Sequence, residues 1–175
     1  MPERVTGLAN LRPLCFAFFF VIGPAWALPP QTFQVSATIA NGCVVSGTNT
    51  GVFGTLNFGT QPGVGSVSAS ASYVQSSTIT LACTPGTTLN MSINGGSNYS
   101  STRNLKIANN TDLVAYSLYT SATHSAASAI PVNQNVALTY SNANNITLPI
   151  YGLLQMSGVR RAGTYSDTLT VTLSW

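Results

Sequence analysis

Charge is what this sequence has least of: its 175 residues include three acidic side chains, six basic ones and a single histidine. Acid–base chemistry has few groups to draw on. The six Lys and Arg are scattered, so there is no basic stripe to release counterions from a nucleic acid, and no nucleic-acid partner is expected. No long helical period appears, and no apolar run approaches the roughly 20 residues needed to span a bilayer as a helix. A disordered tail is also excluded, because it needs high charge and few apolar residues, whereas 45% of this chain is hydrophobic. In place of charge the chain carries 22 Thr, 20 Ser and 15 Asn. Thr with Val, Tyr and Ile suits pleated strands, and Asn and Ser with the 15 Gly suit the turns between them. The length allows one domain.

The leading segment reads as a secretory signal over residues 1–27. Arg4 and Arg12 precede the apolar run Leu14 to Ile22, which Gly23 and Pro24 end, and Ala25-Trp26-Ala27 forms an A-x-A cleavage site. Cleavage after Ala27 is expected, with no stable membrane insertion; a retained anchor is the alternative. Cys15, inside the apolar run, is not placed for lipid attachment. Removal of residues 1–27 leaves Arg103, Lys106, Arg160 and Arg161 against Asp112 and Asp167. It also leaves two cysteines, Cys43 and Cys83, in a chain bound for an oxidising compartment. One disulfide is the expectation and two free buried thiols the alternative.

Period-two alternation recurs along the rest and predicts an all-β fold. Phe33, Val35, Ala37 and Ile39 alternate with Gln34, Ser36 and Thr38 in a first strand over residues 31–40. Further strands are expected over 52–58, 68–74, 78–83, 89–93, 113–119, 136–140 and 146–154, each bounded by turn chemistry such as Thr84-Pro85-Gly86 or Asn94-Gly95-Gly96. In the last strand Tyr165, Asp167, Leu169, Val171, Leu173 and Trp175 share one face. Eight or so short strands imply a sandwich. The first strand follows the cleavage site directly and stops at Gly42-Cys43, and the last runs to the final residue. A terminal strand of this kind can leave its own domain without unthreading anything, which is the geometry for lending a strand to a neighbour.

Seven pieces in order carry a resemblance: Phe33 to Ile39, Cys43, Phe53 to Gly59, Thr78 to Cys83, Val114 to Tyr119, Ile150 to Gly152, and the closing block Ala162 to Thr172. Together they resemble the spore coat protein U domain family, which includes the subunits of archaic chaperone–usher pili. The resemblance implies an incomplete immunoglobulin-like β-sandwich completed by donor-strand exchange. Residues 28–41 would be the donor-strand extension and 42–175 the sandwich domain. Phe33, Val35, Ala37 and Ile39 match the inward set of the donor strand, and Cys43 and Cys83 match the family's disulfide. Tyr165, Leu169, Val171, Leu173 and Trp175 match the strand that borders the groove and pairs with the chaperone. The implied partners are identical or homologous pilin subunits, a periplasmic chaperone and an outer-membrane usher. Export would run through the periplasm to a cell-surface pilus, supporting adhesion and biofilm formation. Ala37 is small where a larger aliphatic residue is expected, and the chain ends in Trp where many members end in Phe or Tyr. Read from the residues alone, segment 31–40 could equally fold back as the first strand of a self-complete sandwich.

Catalysis, metals and cofactors find no convincing set. An acid–base pair would have to combine His124 with Asp112 or Asp167, and His124 lies in a small-residue stretch that reads as an exposed loop. Three or four metal ligands cannot be assembled, and no enzyme activity is expected. Arg160-Arg161 reads as a solvated hairpin corner, while Asn98-Tyr99-Ser100 and Asn145-Ile146-Thr147 fit the glycosylation pattern. Besides a structural pilus subunit, two alternatives stay open: a tip adhesin or lectin-like binding module, and a non-polymerising coat or envelope protein of the same fold.

Overall fold

Alternating apolar and small polar residues form strands because successive side chains point to opposite faces. The computed structural model describes residues 34–48 and 51–175, and within them the alternation becomes eleven short strands. They are β1 (Cys43–Gly47), β2 (Gly54–Leu56), β3 (Val67–Gln75), β4 (Ile79–Cys83), β5 (Leu89–Ile93), β6 (Arg103–Ile107), β7 (Leu113–Tyr119), β8 (Val136–Leu138), β9 (Tyr151–Met156), β10 (Tyr165–Ser166) and β11 (Val171–Ser174). The helical content of the described residues is one 3₁₀ turn at Ala126–Ser128, and no helix among them is long and apolar enough to cross a membrane.

The strands pair antiparallel into a six-stranded sheet, β10-β6-β7-β9-β3-β2, a three-stranded sheet, β11-β5-β8, and the pair β1-β4. Their inward faces meet in one core. Leu81 and Cys83 of β4 and Leu89, Met91 and Ile93 of β5 pack in the same cluster as Val114, Tyr116 and Leu118 of β7 and Leu154 and Met156 of β9. Each fully buried aliphatic side chain contributes about 1.5–3 kcal/mol, which ties every second residue of these strands to one face. The all-β fold read from the sequence is the fold observed. Thr38–Trp175 form one compact unit.

Cys43 and Cys83 are joined by a disulfide. They are also direct partners across the β1-β4 ladder, so the bond staples the first residue of an outer strand to a buried strand. Closing a loop with a sequence separation of 40 removes about 4 kcal/mol of freedom from the unfolded chain on the entropic account.

Several expectations need correction. The described part of the expected first strand, residues 34–40, is exposed and belongs to no strand; Phe33 and residues 1–27, the expected signal, lie outside the described residues. Residues 146–154 are not one strand. Ile146 bonds through its N–H to Leu81 O of β4 at 2.8 Å; Pro149 cannot donate to a ladder, and a new strand begins at Tyr151. The closing strand is two strands, with residues 167–170 between them crossing from one sheet to the other. β1 and β6 were not expected at all. In β6, Arg103 and Asn104 are both 5% exposed, a burial that polar side chains conceal from a hydrophobic pattern.

Tyr73 on β3 carries a buried hydroxyl without a hydrogen-bond partner, and burial pushes its ionisation up to about 12 from the ordinary 10. A raised phenol favours the folded state only while it stays protonated. Stability is therefore level below pH 10 and falls as pH rises from 10 towards 12. Tyr73→Phe removes an unsatisfied buried group, and we expect it to raise stability at pH 7 by roughly 1 kcal/mol and to make the alkaline decline shallower. Urea unfolding at neutral and alkaline pH checks both; an alkaline slope identical to that of the unaltered chain would exclude the buried phenol as its source.

Candidate site for strand pairing

The last stretch of chain lies at an edge twice over. β10 is the outermost strand of the six-stranded sheet, beside β6, and β11 is the outermost strand of the three-stranded sheet, beside β5. Tyr165 pairs with Ile107, and Val171 to Ser174 pair with Ile93 to Asn90. Among the described residues, nothing pairs with the other side of either strand. Such an edge presents a row of free backbone donors and acceptors, a template for another strand.

The side chains on this edge have the same unfinished character. Tyr165, Leu169, Val171 and Leu173 point towards the core and pack against it, yet each is only partly buried. Aliphatic and aromatic residues that face a core but stay half in water lack a neighbour on one side. The structure keeps the expected alternation for these four. Trp175 departs from it: the indole lies past the end of β11 and is 60% exposed. Val45 on β1 and Phe53 and Leu56 around β2 are likewise half-buried at the margin of the core.

The segment with the complementary pattern is unengaged. Val35 and Ile39 are each 84% exposed, and Gln34 to Asn41 are exposed throughout. The first hydrogen bonds reached from that end, among the described residues, are from Thr84 Oγ1 to Ala40 O at 3.4 Å and from Thr84 N to Gly42 O at 2.8 Å.

Between β10 and β11 sits a polar cluster that the sequence did not reveal. Arg103, buried in β6, donates from Nε to Asn94 O, from Nη1 to Ile130 O and from Nη2 to Ile93 O, at 2.8–2.9 Å, with a longer contact from Nη2 to Pro131 O. Burial pulls its ionisation below the usual guanidinium range, opposed by Tyr116, Tyr99 and Asp167. Tyr116 donates its hydroxyl to Asp167 Oδ2 at 2.7 Å. Burial first, then this bond and the carboxylate charge, drive the Tyr116 phenol far above its ordinary value. Asn104 donates from Nδ2 to Thr102 O and Ser100 Oγ. A single Arg inside a short polar run is the only sign of this cluster in the sequence.

The groups that could have served acid–base chemistry have other partners. Asp167 accepts from Tyr116 and Asn98, and Asp112 pairs with Arg161 at 3.2 Å. His124, half-buried rather than exposed, sets its ring edge-on to Tyr119 with centroids 5.1 Å apart. Arg161 is exposed, as a solvated corner requires, whereas Arg160 is half-buried, with its N bonded to Gly63 O and its Nε buried without a hydrogen-bond partner. Asn98 spends its side-chain amide on Ser166 O and Asp167, whereas Asn145 is exposed.

No curated protein matches the chain. Among solved structures it is similar to a chain in the crystal structure of the CsuC–CsuE chaperone–tip adhesion subunit pre-assembly complex from archaic chaperone–usher Csu pili of Acinetobacter baumannii. The identity is 16% and the TM-score 0.44, over 79% of this chain and 41% of that one. This chain thus spans about two fifths of the length of that chain. A model of the Spore Coat Protein U domain matches residues 30–172. An all-β sandwich with its cysteines bridged, and a family match over nearly all of its described length, make this chain a member of the spore coat protein U domain family.

Proposed function

We propose that the chain is a structural subunit of a surface pilus that polymerises by donor-strand complementation. The observation that carries this reading is the coexistence of an open apolar strand edge, residues 165–174, with an exposed, unpaired segment of matching alternation, residues 34–39. Strand addition draws affinity from backbone hydrogen bonds and register from alternate side chains, and this chain offers both halves. Membership of a family that includes archaic chaperone–usher pilins supports the assignment. Phe33, Val35, Ala37 and Ile39 enter the groove of the next subunit, against the edge formed by Tyr165, Leu169, Val171 and Leu173, with Trp175 at its rim. Residues 28–41 act as the extension and 42–175 as the receiving domain. Before assembly a periplasmic chaperone covers the edge, and an outer-membrane usher exchanges it for a second subunit. The product is an extracellular fibre serving adhesion and biofilm formation, with no catalytic step.

Val35→Asp tests this directly. Burying a carboxylate in an apolar groove costs several kcal/mol, so we expect loss of fibres and of SDS-resistant oligomers while the Cys43–Cys83 bond still forms. Fibres of normal length, seen by negative-stain microscopy, would exclude Val35 from the interface. A tip-adhesin role would show instead as subunits found only at fibre ends under immunogold labelling.

A further inference from the structure

Asp167 lies where the closing stretch changes sheets, and its carboxylate is shared between them. Oδ2 accepts the Tyr116 hydroxyl from β7, near the middle of the six-stranded sheet. Oδ1 accepts Asn98 N at 3.2 Å, Asn98 Nδ2 at 3.1 Å and Thr168 N at 2.9 Å. Asn98 belongs to the turn that follows β5 of the three-stranded sheet. The same turn straps down the next residues: Ser97 N bonds to Thr168 O, Asn94 N to Thr170 O, and Thr170 N returns to Asn94 Oδ1. Gly96 completes the arrangement, since a Cβ there would collide with the Asp167 carboxylate, and its φ of +89° favours glycine. Nothing in a regular strand calls for four hydrogen bonds to one carboxylate at its midpoint.

We infer that Asp167 is the positioning residue of the open edge: it sets the point where the closing stretch leaves β6 and joins β5, so that the edge is offered as two offset half-edges, Tyr165–Ser166 and Val171–Ser174. An incoming strand must then follow a bend between sheets, and its register is set by where that bend falls. This inference rests on the reading of residues 165–174 as a strand-accepting edge. Without the carboxylate, residues 167–170 lose their tie to Tyr116 and Asn98, and the half-edges slide relative to each other.

Hydrogen exchange followed by mass spectrometry, run beside an oligomer-formation assay on the same full chain, separates positioning from general stability. In Asp167→Ala, exchange over 165–174 should quicken about tenfold or more, as expected when several bonds to a charged group are lost locally. Strands β4, β7 and β9 should keep their protection, and oligomers should form about tenfold more slowly. Asp167→Asn keeps an oxygen for Asn98 and Thr168 and should fall between Ala and the unaltered chain, which also covers the case in which Asp167→Ala folds poorly. Gly96→Ala should reproduce Asp167→Ala. Protection lost equally over all strands in Asp167→Asn, or retained over 165–174 in Asp167→Ala, overturns the inference. If the unaltered chain forms no oligomers, the strand-lending reading fails, and the exchange pattern alone still decides the role of Asp167.

Discussion

Moving residues 29–41 behind Trp175 through a short flexible linker should give a monomer that melts roughly 10–30 °C above the unaltered chain. The expectation follows from what the two surfaces leave undone. Val35 and Ile39 are 84% exposed, and Tyr165, Leu169, Val171 and Leu173 are only half-buried on the edge. Seating Phe33, Val35 and Ile39 against that edge gains about 1.5–3 kcal/mol each, roughly 5–9 kcal/mol together. New ladder bonds add about 0.5–1.5 kcal/mol apiece. Each kcal/mol moves the midpoint of a domain this size by about 2–4 °C. Joining donor and acceptor in one chain makes the pairing intramolecular, so it no longer depends on concentration. Thermal unfolding by circular dichroism, with sedimentation to establish the monomer, reads the result. A permuted chain melting no higher than the unaltered one would remove the lending of a strand from the account of this protein.

Arg103→Met should cost about 3 kcal/mol and lower the midpoint by roughly 10 °C. Arg103 is 5% exposed and serves the carbonyls of Ile93, Asn94, Ile130 and Pro131. Ile130 O is the buried acceptor left without a donor, at a cost of about 1–3 kcal/mol, and the part-buried Asn94 O adds to it; Ile93 O keeps the bond from Asn133 N at 2.9 Å, and Pro131 is exposed. Methionine fills most of the volume but donates nothing. Arg103→Lys should recover only part of the loss, because one ammonium cannot reproduce a planar fork directed at several acceptors. Urea unfolding with the disulfide intact measures both variants. Equal stability of Met and Arg at this position would show that water reaches those carbonyls and that the guanidinium is dispensable.

The sequence was legible where apolar and polar side chains alternate within a strand. β5 and β7 fall on the expected residues, and β3 and β4 within one residue at each end, because their inward positions, such as Leu89, Met91 and Ile93, are apolar and most of the positions between them are small or polar. β6 was hidden because its buried residues, Arg103 and Asn104, look like surface. Their burial depends on carbonyls and hydroxyls brought together by the 94–102 turn and by residues 130–131. No local pattern records that convergence. β1 was missed for a related reason: five residues held by one neighbouring strand and a disulfide show little alternation of their own.

The closing stretch shows the division most clearly. Its period-two pattern was readable from Tyr165 onward, and the half-burial of Tyr165, Leu169, Val171 and Leu173 follows that pattern. That the stretch breaks at Asp167 and serves two sheets was not readable, since the carboxylate acts on Tyr116 and Asn98, 51 and 69 residues away. By itself the sequence determined the all-β class and which residues of each apolar strand face inward, because these depend on side-chain chemistry and a short period, and it made a Cys43–Cys83 bond the expectation that the structure bears out. The tertiary structure alone decided which edges stay open, where the last strand changes sheets and which polar side chains are buried, because each depends on atoms far apart in the chain meeting in one place.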